Sequence, residues 1–384
     1  MPKPLKSFDS TTKVFERLQT QKGFHSRYSD LPSDWEVSES LGSSRNCYQE
    51  MLRQEIFNPQ FCREYKSINA LPKKPYKIID TPGLKDDFYS NLFEWNKDGL
   101  LGVALNKCIY IWDSSSEDVK LVSAPFYSSF AAIKWKNSDS KIALSLKSGS
   151  ILLFDLETQK VTQKLKGHKT KPGCLSWNQN LLTSGSLDGY ILHHDVRSPS
   201  CFLTTKGHTK GVCSLDWDPS GRYCASGSTD NSVKIWSLDT KEPLCTLKTN
   251  CTGVRTLVWS PYSDRYLCTG SPDRKICVWN TLLEEIVTES TTESQVCCLL
   301  FSRNSKELVS GHGNPGNEVC VWEFPSLSLK GTLKSHFKKV LYADLSPDET
   351  DVVTVSADQS MHFWNLFKKQ KSPQSQLGFL KELR

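Results

Sequence analysis

A short strand-like pattern that ends in an aromatic ring recurs along this 384-residue chain. Apolar and polar positions alternate within it, as in "SVKIW" and "KICVW", and runs rich in Gly, Ser, Asp and Asn separate its copies. Alternation of period two bounded by turn residues predicts β-strands. The seven copies lie 40 to 43 residues apart and end at Trp112, Phe154, His194, Trp236, Trp279, Trp322 and Trp364.

A second strand pattern opens each of these units. It ends at Trp95, Trp135, Trp177, Trp217, Trp259, Phe301 and Leu345. Small-residue runs such as "TSGS" and "ASGS" follow it and supply a third strand. The period is that of a WD40 blade of about 40 to 45 residues, a four-stranded sheet that must stack on its neighbours around an axis. The sequence therefore predicts an all-β, seven-bladed WD40 β-propeller over residues 75–367.

The last unit offers only three strands before the chain leaves the pattern at "NLFKK". The run "PYKIID", just before the first unit, is β-like, and pairing it with the last unit would close the ring and remove two open edges. We expect this closing strand at residues 76–79. Outside the ring, residues 1–74, with helical spacing only at 48–57, and residues 368–384 are expected to be largely disordered on their own.

Polar residues that could suggest chemistry have structural interpretations in this pattern. Blade 4 contains His208, Ser226, Asp230 and Trp236 at the spacing of a hydrogen-bonded chain that orders a WD40 blade, and blade 7 keeps His336 with Asp358. The glycines Gly311, Gly313 and Gly316 have nucleotide-loop spacing but lie between two strands. The pair His193 and His194 beside Asp195 stands at a blade's third strand, with no matching ligand cluster elsewhere. We expect no enzyme activity, no cofactor and no metal.

Composition and charge limit the classes of partner that this protein is expected to bind. The net charge is only +6, and no Lys/Arg cluster alternates with aromatics as on a nucleic-acid-binding face. There is no signal-peptide pattern, and no apolar run approaches the ~18 residues that span a membrane. The fourteen Cys are scattered through strands without a CxxC pair, as expected of reduced buried thiols. We expect a protein of the cytoplasm and nucleus that binds neither nucleic acid nor membrane.

Several longer phrases resemble one branch of the WD40 proteins. "PYKIIDTPGLKDDFYSNLFEW", "LTSGSLDGYILHHDVR", "ESQVCCLLFSRNSKELVSGHG", "NEVCVWEFPSL" and "KVLYADLSPD" are similar to the Fizzy and Fizzy-related propellers, co-activators of the anaphase-promoting complex. The resemblance covers residues 75–367, about three quarters of the chain. Where the sequence departs from these propellers, it resembles a specialised member of the family, such as the meiotic Cortex branch. It implies a substrate receptor of this ubiquitin ligase in cell-cycle or meiotic control, with degron-bearing substrates such as cyclins, and checkpoint or pseudosubstrate inhibitors, as further partners.

The resemblance also implies three binding regions. Residues that would bind a KEN degron are Asp87, Phe88, Thr229, Asn231, Ser271, Gln295 and Lys339. Residues that would bind a destruction box are Ile79, Asp80 and Gln359, the last standing where relatives have Glu. Residues that would dock on the ligase are Arg27, Tyr28, Leu31 and Pro32, in a departure from the family's docking box, and the terminal Leu383 and Arg384.

Two other classes remain open at the level of sequence. A WD40 scaffold in an unrelated complex would have tails with no affinity for the ligase. A propeller hydrolase would need a clustered acid pair or a metal at the axial channel.

Overall fold

The regular elements of the described residues are β-strands. The computed structural model describes residues 71–368 apart from 106, 123–127, 137–139, 199–200 and 250–251. Within these residues, 28 strands form seven four-stranded antiparallel sheets. The predicted all-β, seven-bladed propeller is confirmed. The described residues include no helix that is long and apolar enough to cross a membrane.

The strands follow the chain blade by blade, except for the first. Strand β1 (Lys77–Asp80) belongs to blade 7. Blade 1 contains β2 (Phe93–Trp95), β3 (Leu100–Leu105), β4 (Cys108–Asp113) and β5 (Val119–Val122). Blade 2 contains β6 (Phe130–Trp135), β7 (Lys141–Leu146), β8 (Ile151–Asp155) and β9 (Lys160–Leu165). Blade 3 contains β10 (Pro172–Asn178), β11 (Leu181–Ser186), β12 (Tyr190–Asp195) and β13 (Cys201–Lys206).

The remaining blades have the same order. Blade 4 contains β14 (Val212–Trp217), β15 (Tyr223–Ser228), β16 (Ser232–Ser237) and β17 (Cys245–Lys248). Blade 5 contains β18 (Thr256–Trp259), β19 (Tyr266–Gly270), β20 (Lys275–Asn280) and β21 (Glu285–Thr291). Blade 6 contains β22 (Val296–Phe301), β23 (Glu307–His312), β24 (Val319–Glu323) and β25 (Ser328–Leu333). Blade 7 contains β26 (Val340–Leu345), β27 (Asp351–Ser356) and β28 (Ser360–Asn365).

The ring closes at blade 7, where β1 pairs with β28. The register runs from Lys77 opposite Phe363 to Asp80 opposite Ser360. The strand is one residue later than the predicted 76–79, although the Tyr76 N–H still donates to the Phe363 carbonyl (3.0 Å). Leu71 packs against the apolar cluster around Trp364, so the packed part of the chain begins before the predicted boundary at 75.

The innermost strands of neighbouring blades contact one another around the axis, from β2 to β26 and back to β2. Acidic residues on these strands reach the next blade. An Asp344 oxygen accepts the Trp95 N–H (2.8 Å), which links blade 7 to blade 1, and Asp216 accepts that of Trp259 (3.0 Å). Glu94 accepts the Trp135 N–H and pairs with Lys134. Burial raises the pKa of Glu94 to about 7 against the opposing charge of Lys134.

The predicted hydrogen-bonded chain of blade 4 is present. His208 Nδ1 lies 3.0 Å from an Asp230 oxygen, and its Nε2 lies 2.7 Å from Ser226 Oγ, which also accepts the Trp236 indole N–H (2.7 Å). Blade 7 repeats the chain with His336, Asp358 and Thr354 in place of the serine. These His and Asp side chains therefore order the turns of the blades.

Candidate peptide-binding face

The segment that joins blade 7 to blade 1, residues 81–91, crosses one end of the ring; we call it the crossing segment. Its Asn91 bridges to Ala132 of blade 2, and the Tyr342 hydroxyl of blade 7 donates to the Asp87 carbonyl (3.4 Å). A Cβ added to Gly173 of blade 3 would lie 2.5 Å from the carbonyl oxygen of Tyr89, so this close approach requires glycine. The crossing segment therefore lies over the central end of the ring.

This end, the upper face, carries the starts of the innermost strands and the turns between the second and third strands of each blade. Because the strands are antiparallel, these two sets of residues meet at the same end of every blade. All ten residues predicted for degron binding lie here, in the crossing segment or β1, in such turns, or at the start of an innermost strand.

Two acidic residues of the crossing segment are paired with lysines from three blades. Asp87 Oδ2 lies 2.6 Å from Lys171 Nζ and 3.3 Å from Lys147 Nζ. Burial alone would raise the pKa of Asp87, but the hydrogen bond and charge of Lys171 outweigh it and hold that pKa well below its usual range. Asp86 Oδ1 lies 2.7 Å from Lys339 Nζ. Both carboxylates are thus neutralised by neighbouring cations in the free protein.

Two cations lie close to one aromatic ring, that of Phe88. The guanidinium carbon of Arg255 lies 4.6 Å from the centre of the Phe88 ring, and Lys339 Nζ lies 5.8 Å from the same centre. Tyr89 packs edge-on against Phe88 at 5.4 Å. The structure therefore brings three of the residues predicted for the KEN degron, Asp87, Phe88 and Lys339, into one cluster.

The other four predicted KEN residues lie on the upper face outside this cluster. Thr229 and Asn231 belong to the turn between β15 and β16, where the Asn231 carbonyl accepts the Thr249 N–H (3.2 Å). Gln295 is half-buried at the start of β22. Ser271 is buried, and its hydroxyl donates to Asp273, so its side chain is less available to a peptide than the sequence suggests.

The residues predicted for the destruction box meet at the upper end of the β1–β28 pair. Asp80 lies opposite Ser360, the residue after Gln359, and Ile79 packs against the core. The Gln359 carbonyl accepts the Thr81 N–H (2.7 Å), and its side-chain Oε1 accepts that of Gly83 (3.3 Å). Asp80 and Gln359 are both exposed, so a basic side chain could reach both.

The residues predicted to dock on the ligase lie outside the described part of the chain. These are Arg27, Tyr28, Leu31, Pro32, Leu383 and Arg384. The predicted helix at 48–57 also lies outside it.

Sequence reasoning missed Arg255. It directly precedes β18 (Thr256–Trp259), and the residues at the corresponding bulged positions of blades 2, 3, 4, 6 and 7 are small or apolar. These are Ala131, Gly173, Cys213, Cys297 and Leu341. A charged side chain at a position that is otherwise apolar in the repeat was the signal that could have identified it.

The described residues contain no group of His, Cys, Asp or Glu that could hold a metal. A closed ring of seven four-stranded blades, with a charged and aromatic cluster at its central end, defines a seven-bladed WD40 propeller. The family model for the CDC20/Fizzy WD40 domain matches residues 79–364. The chain belongs to this family, and the resemblance found in the sequence is confirmed.

Individual relatives support the assignment. The chain is 35% identical over 372 residues to meiotic fizzy-related protein 1 of Schizosaccharomyces pombe, covering 96% of this chain and 86% of that protein. It is 33% identical over 342 residues to anaphase-promoting complex subunit cdc20 of Dictyostelium discoideum, covering 87% and 68%. A chain in the crystal structure of the mitotic checkpoint complex superposes with a TM-score of 0.75 at 30% identity, covering 90% of this chain and all of that one.

Proposed function

We propose that this protein is a substrate-recognition co-activator of the anaphase-promoting complex, acting in cell-cycle or meiotic control. The observation that carries the proposal is the match of the whole ring to the CDC20/Fizzy family. Two relatives are named as a meiotic fizzy-related protein and as a subunit of that complex, and their similarity to this chain covers most of its length. The protein does no bond chemistry itself; it holds substrates close to the catalytic module of the ligase and so raises their effective concentration.

The upper face binds the KEN degron by exchanging ion pairs. A degron lysine that approaches Asp87 replaces Lys171 or Lys147, and a degron glutamate that approaches Lys339 replaces Asp86. The pairs made by Lys147 and Lys339 each include one side chain that is at least 39% exposed, so they contribute only about 0 to 1 kcal/mol and their exchange costs little. The Lys171 pair is more buried and is the costlier one to replace. The degron asparagine lies toward Gln295 and Asn231, whose side-chain amides can both donate and accept hydrogen bonds.

The destruction box lies along the boundary between blades 7 and 1. Its arginine reaches Asp80 and Gln359, which lie one register step apart at the end of the β1–β28 pair. Ile79 forms part of an apolar wall for the neighbouring degron side chain. This site lies on the outer strand of blade 7, away from the cluster around Phe88, so one substrate can occupy both sites.

The two tails dock on the ligase. Arg27, Tyr28, Leu31 and Pro32 act in the N-terminal tail, and Leu383 with the terminal Arg384 acts at the other end. Each tail alone provides a small contact, and their linkage through the propeller supplies avidity. Cyclins and other degron-bearing proteins are the substrates, checkpoint or pseudosubstrate inhibitors compete for the same face, and the protein acts in the cytoplasm and nucleus.

The test is retrieval of ligase subunits by the tagged protein from cell extract. The full chain should retrieve them, Arg27→Ala or removal of Leu383 and Arg384 should weaken retrieval, and the double change should abolish it. The same double variant should still bind a KEN peptide, which controls for folding of the ring. Retrieval of no ligase subunit by the full chain, or full retrieval by the double variant, would favour a WD40 scaffold in an unrelated complex.

A further inference from the structure

A guanidinium without a counter-ion lies at the central end of the ring. Arg255 is only 8% exposed, and its Nε is buried with no hydrogen-bond partner in the described part of the chain. Its contact with Phe88 uses the π-face of the ring and supplies no acceptor for an N–H. A buried cationic side chain is costly unless it is paired and hydrogen-bonded, so this environment is incomplete without an anion.

The neighbouring groups do not supply that anion. The thiols of Cys213 and Cys297 lie near Arg255, but burial raises their pKa to about 11 and about 12, so both are neutral at physiological pH. Asp86 is paired with Lys339, and Asp87 with Lys171. Lys147 brings the cations around the crossing segment to four against these two carboxylates, and Arg255 is the one that has no ion pair among the described residues.

The position of the Arg255 guanidinium favours binding of a carboxylate at the end of a long, flexible side chain. The Phe88 ring lies 4.6 Å from the guanidinium carbon and accepts no N–H, and no described residue accepts from Nε, so this donor is free for a planar acceptor. A carboxylate accepts two parallel N–H bonds from arginine, and such charge-assisted bonds are about twice as strong as neutral ones. Because Arg255 lies below the surface, a glutamate side chain reaches it better than the shorter aspartate.

We propose that Arg255 is the main contact for the glutamate of a bound KEN-type degron and that it sets the preference for glutamate at this position. The inference rests on the proposed function. It assigns to Arg255 most of the contact with the degron glutamate that the proposed function places at Lys339. Lys339 already has Asp86 as a partner and lacks the bidentate geometry, so it contributes less to recognition of the glutamate.

The test measures binding of fluorescent KEN peptides to the full-length protein by anisotropy. Three peptides are compared: one with the native Glu, one with Gln and one with Asp in its place. The proteins are wild type, Arg255→Met, Arg255→Lys and, to compare the two cations that could contact the glutamate, Lys339→Met. On wild type, Gln or Asp should weaken binding about tenfold or more. In Arg255→Met the native peptide should lose the same factor, and the discrimination between Glu and Gln should vanish.

Arg255→Lys should retain part of the discrimination, and Lys339→Met should retain most of it. Melting temperature and destruction-box binding of each variant show whether the ring is intact. Equal loss of the Glu and Gln peptides in Arg255→Met would mean that Arg255 only supports Phe88 and would overturn the inference. If Arg255→Met does not fold, the affinities of the wild-type protein for the three peptides test the inference. Similar affinities reject the inference, while the proposed function stands. Failure of wild type to bind any KEN peptide rejects both.

Discussion

Substitution of Gln359 by Glu should strengthen destruction-box binding. The change adds one negative charge and almost no volume at an exposed position with φ of 65°, next to the ladder that pairs Asp80 with Ser360. In the free protein Gln359 Oε1 accepts the N–H of Gly83 (3.3 Å). A carboxylate has two oxygens, so one can keep this bond while the other accepts from the degron arginine.

The size of the gain follows from the exposure of the site. Two unit charges 4 Å apart attract by about 1 kcal/mol in water and about 4 kcal/mol at the effective dielectric constant of a protein surface. Since both Asp80 and Gln359 are exposed, we expect a value near the lower limit, about 1 kcal/mol or about fivefold in affinity. Asp358 is also ionised here, because hydrogen bonds from His336 and Ser360 outweigh its burial and hold its pKa low. Its charge adds to the attraction for the arginine.

The assay is fluorescence anisotropy with a destruction-box peptide and a KEN peptide at low and high salt. Gln359→Glu should tighten only the destruction-box peptide, and the gain should shrink as the Debye length falls from about 10 Å at 0.1 M to about 3 Å at 1 M salt. Gln159→Glu is the matched control, because Gln159 is exposed, has φ of 53°, and lies in the β8–β9 turn at the opposite end of blade 2. No change at low salt, or an equal gain in Gln159→Glu, would show that Gln359 does not face the degron arginine.

Three further predictions concern the ring itself. Deleting residues 1–80 removes the closing strand, so this truncation should melt several degrees below one that lacks only 1–70, and equal melting would contradict the role of the strand. The pKa of His362 is lowered to about 4 by burial and by a neighbouring imidazole, so the unfolded chain takes up the proton first as pH falls from about 6.5. The free energy of unfolding therefore falls as the pH drops from about 6.5 to about 4. In urea titrations at several pH values, His362→Phe should reduce this fall by on the order of 1 kcal/mol. An unchanged pH dependence would refute the assignment. Gly173→Ala should displace the Tyr89 carbonyl and weaken KEN binding, while destruction-box binding persists. Unchanged binding of both peptides would show that the crossing segment adapts to the added methyl group.

The repeat pattern was sufficient to predict the blades because strand patterns of the same kind recur every 40 to 43 residues and every blade packs in the same way. The aromatic marks at Trp236 and Trp364 are buried, and both donate to the hydroxyl that completes the hydrogen-bonded chain of their blade. The closing strand was located to within one residue. Its start differs from the prediction because the strand begins at Lys77, although the Tyr76 N–H also donates to the Phe363 carbonyl.

The ion pairs of the upper face could not be predicted from the sequence. Asp87 pairs with Lys147 and Lys171, which lie 60 and 84 residues further along the chain, and no local pattern connects them. The same holds for Arg255, whose environment exists only because the crossing segment places Phe88 above it. Long-range pairs of this kind depend on how seven blades and one connecting segment meet at the axis.

The two proposed degron sites would therefore bind by different physics. At the Phe88 cluster Asp86 and Asp87 are already neutralised, so an incoming lysine exchanges one ion pair for another and gains little from charge alone. Arg255 is the exception, because a peptide carboxylate there would create a pair that the free protein lacks. At the end of β1, Asp80 is exposed and takes part in no ion pair with a described residue, so a destruction-box arginine would gain a new, salt-sensitive attraction. Selectivity at the first proposed site would thus depend on geometry around one buried arginine, whereas at the second it would depend on the number of exposed negative charges.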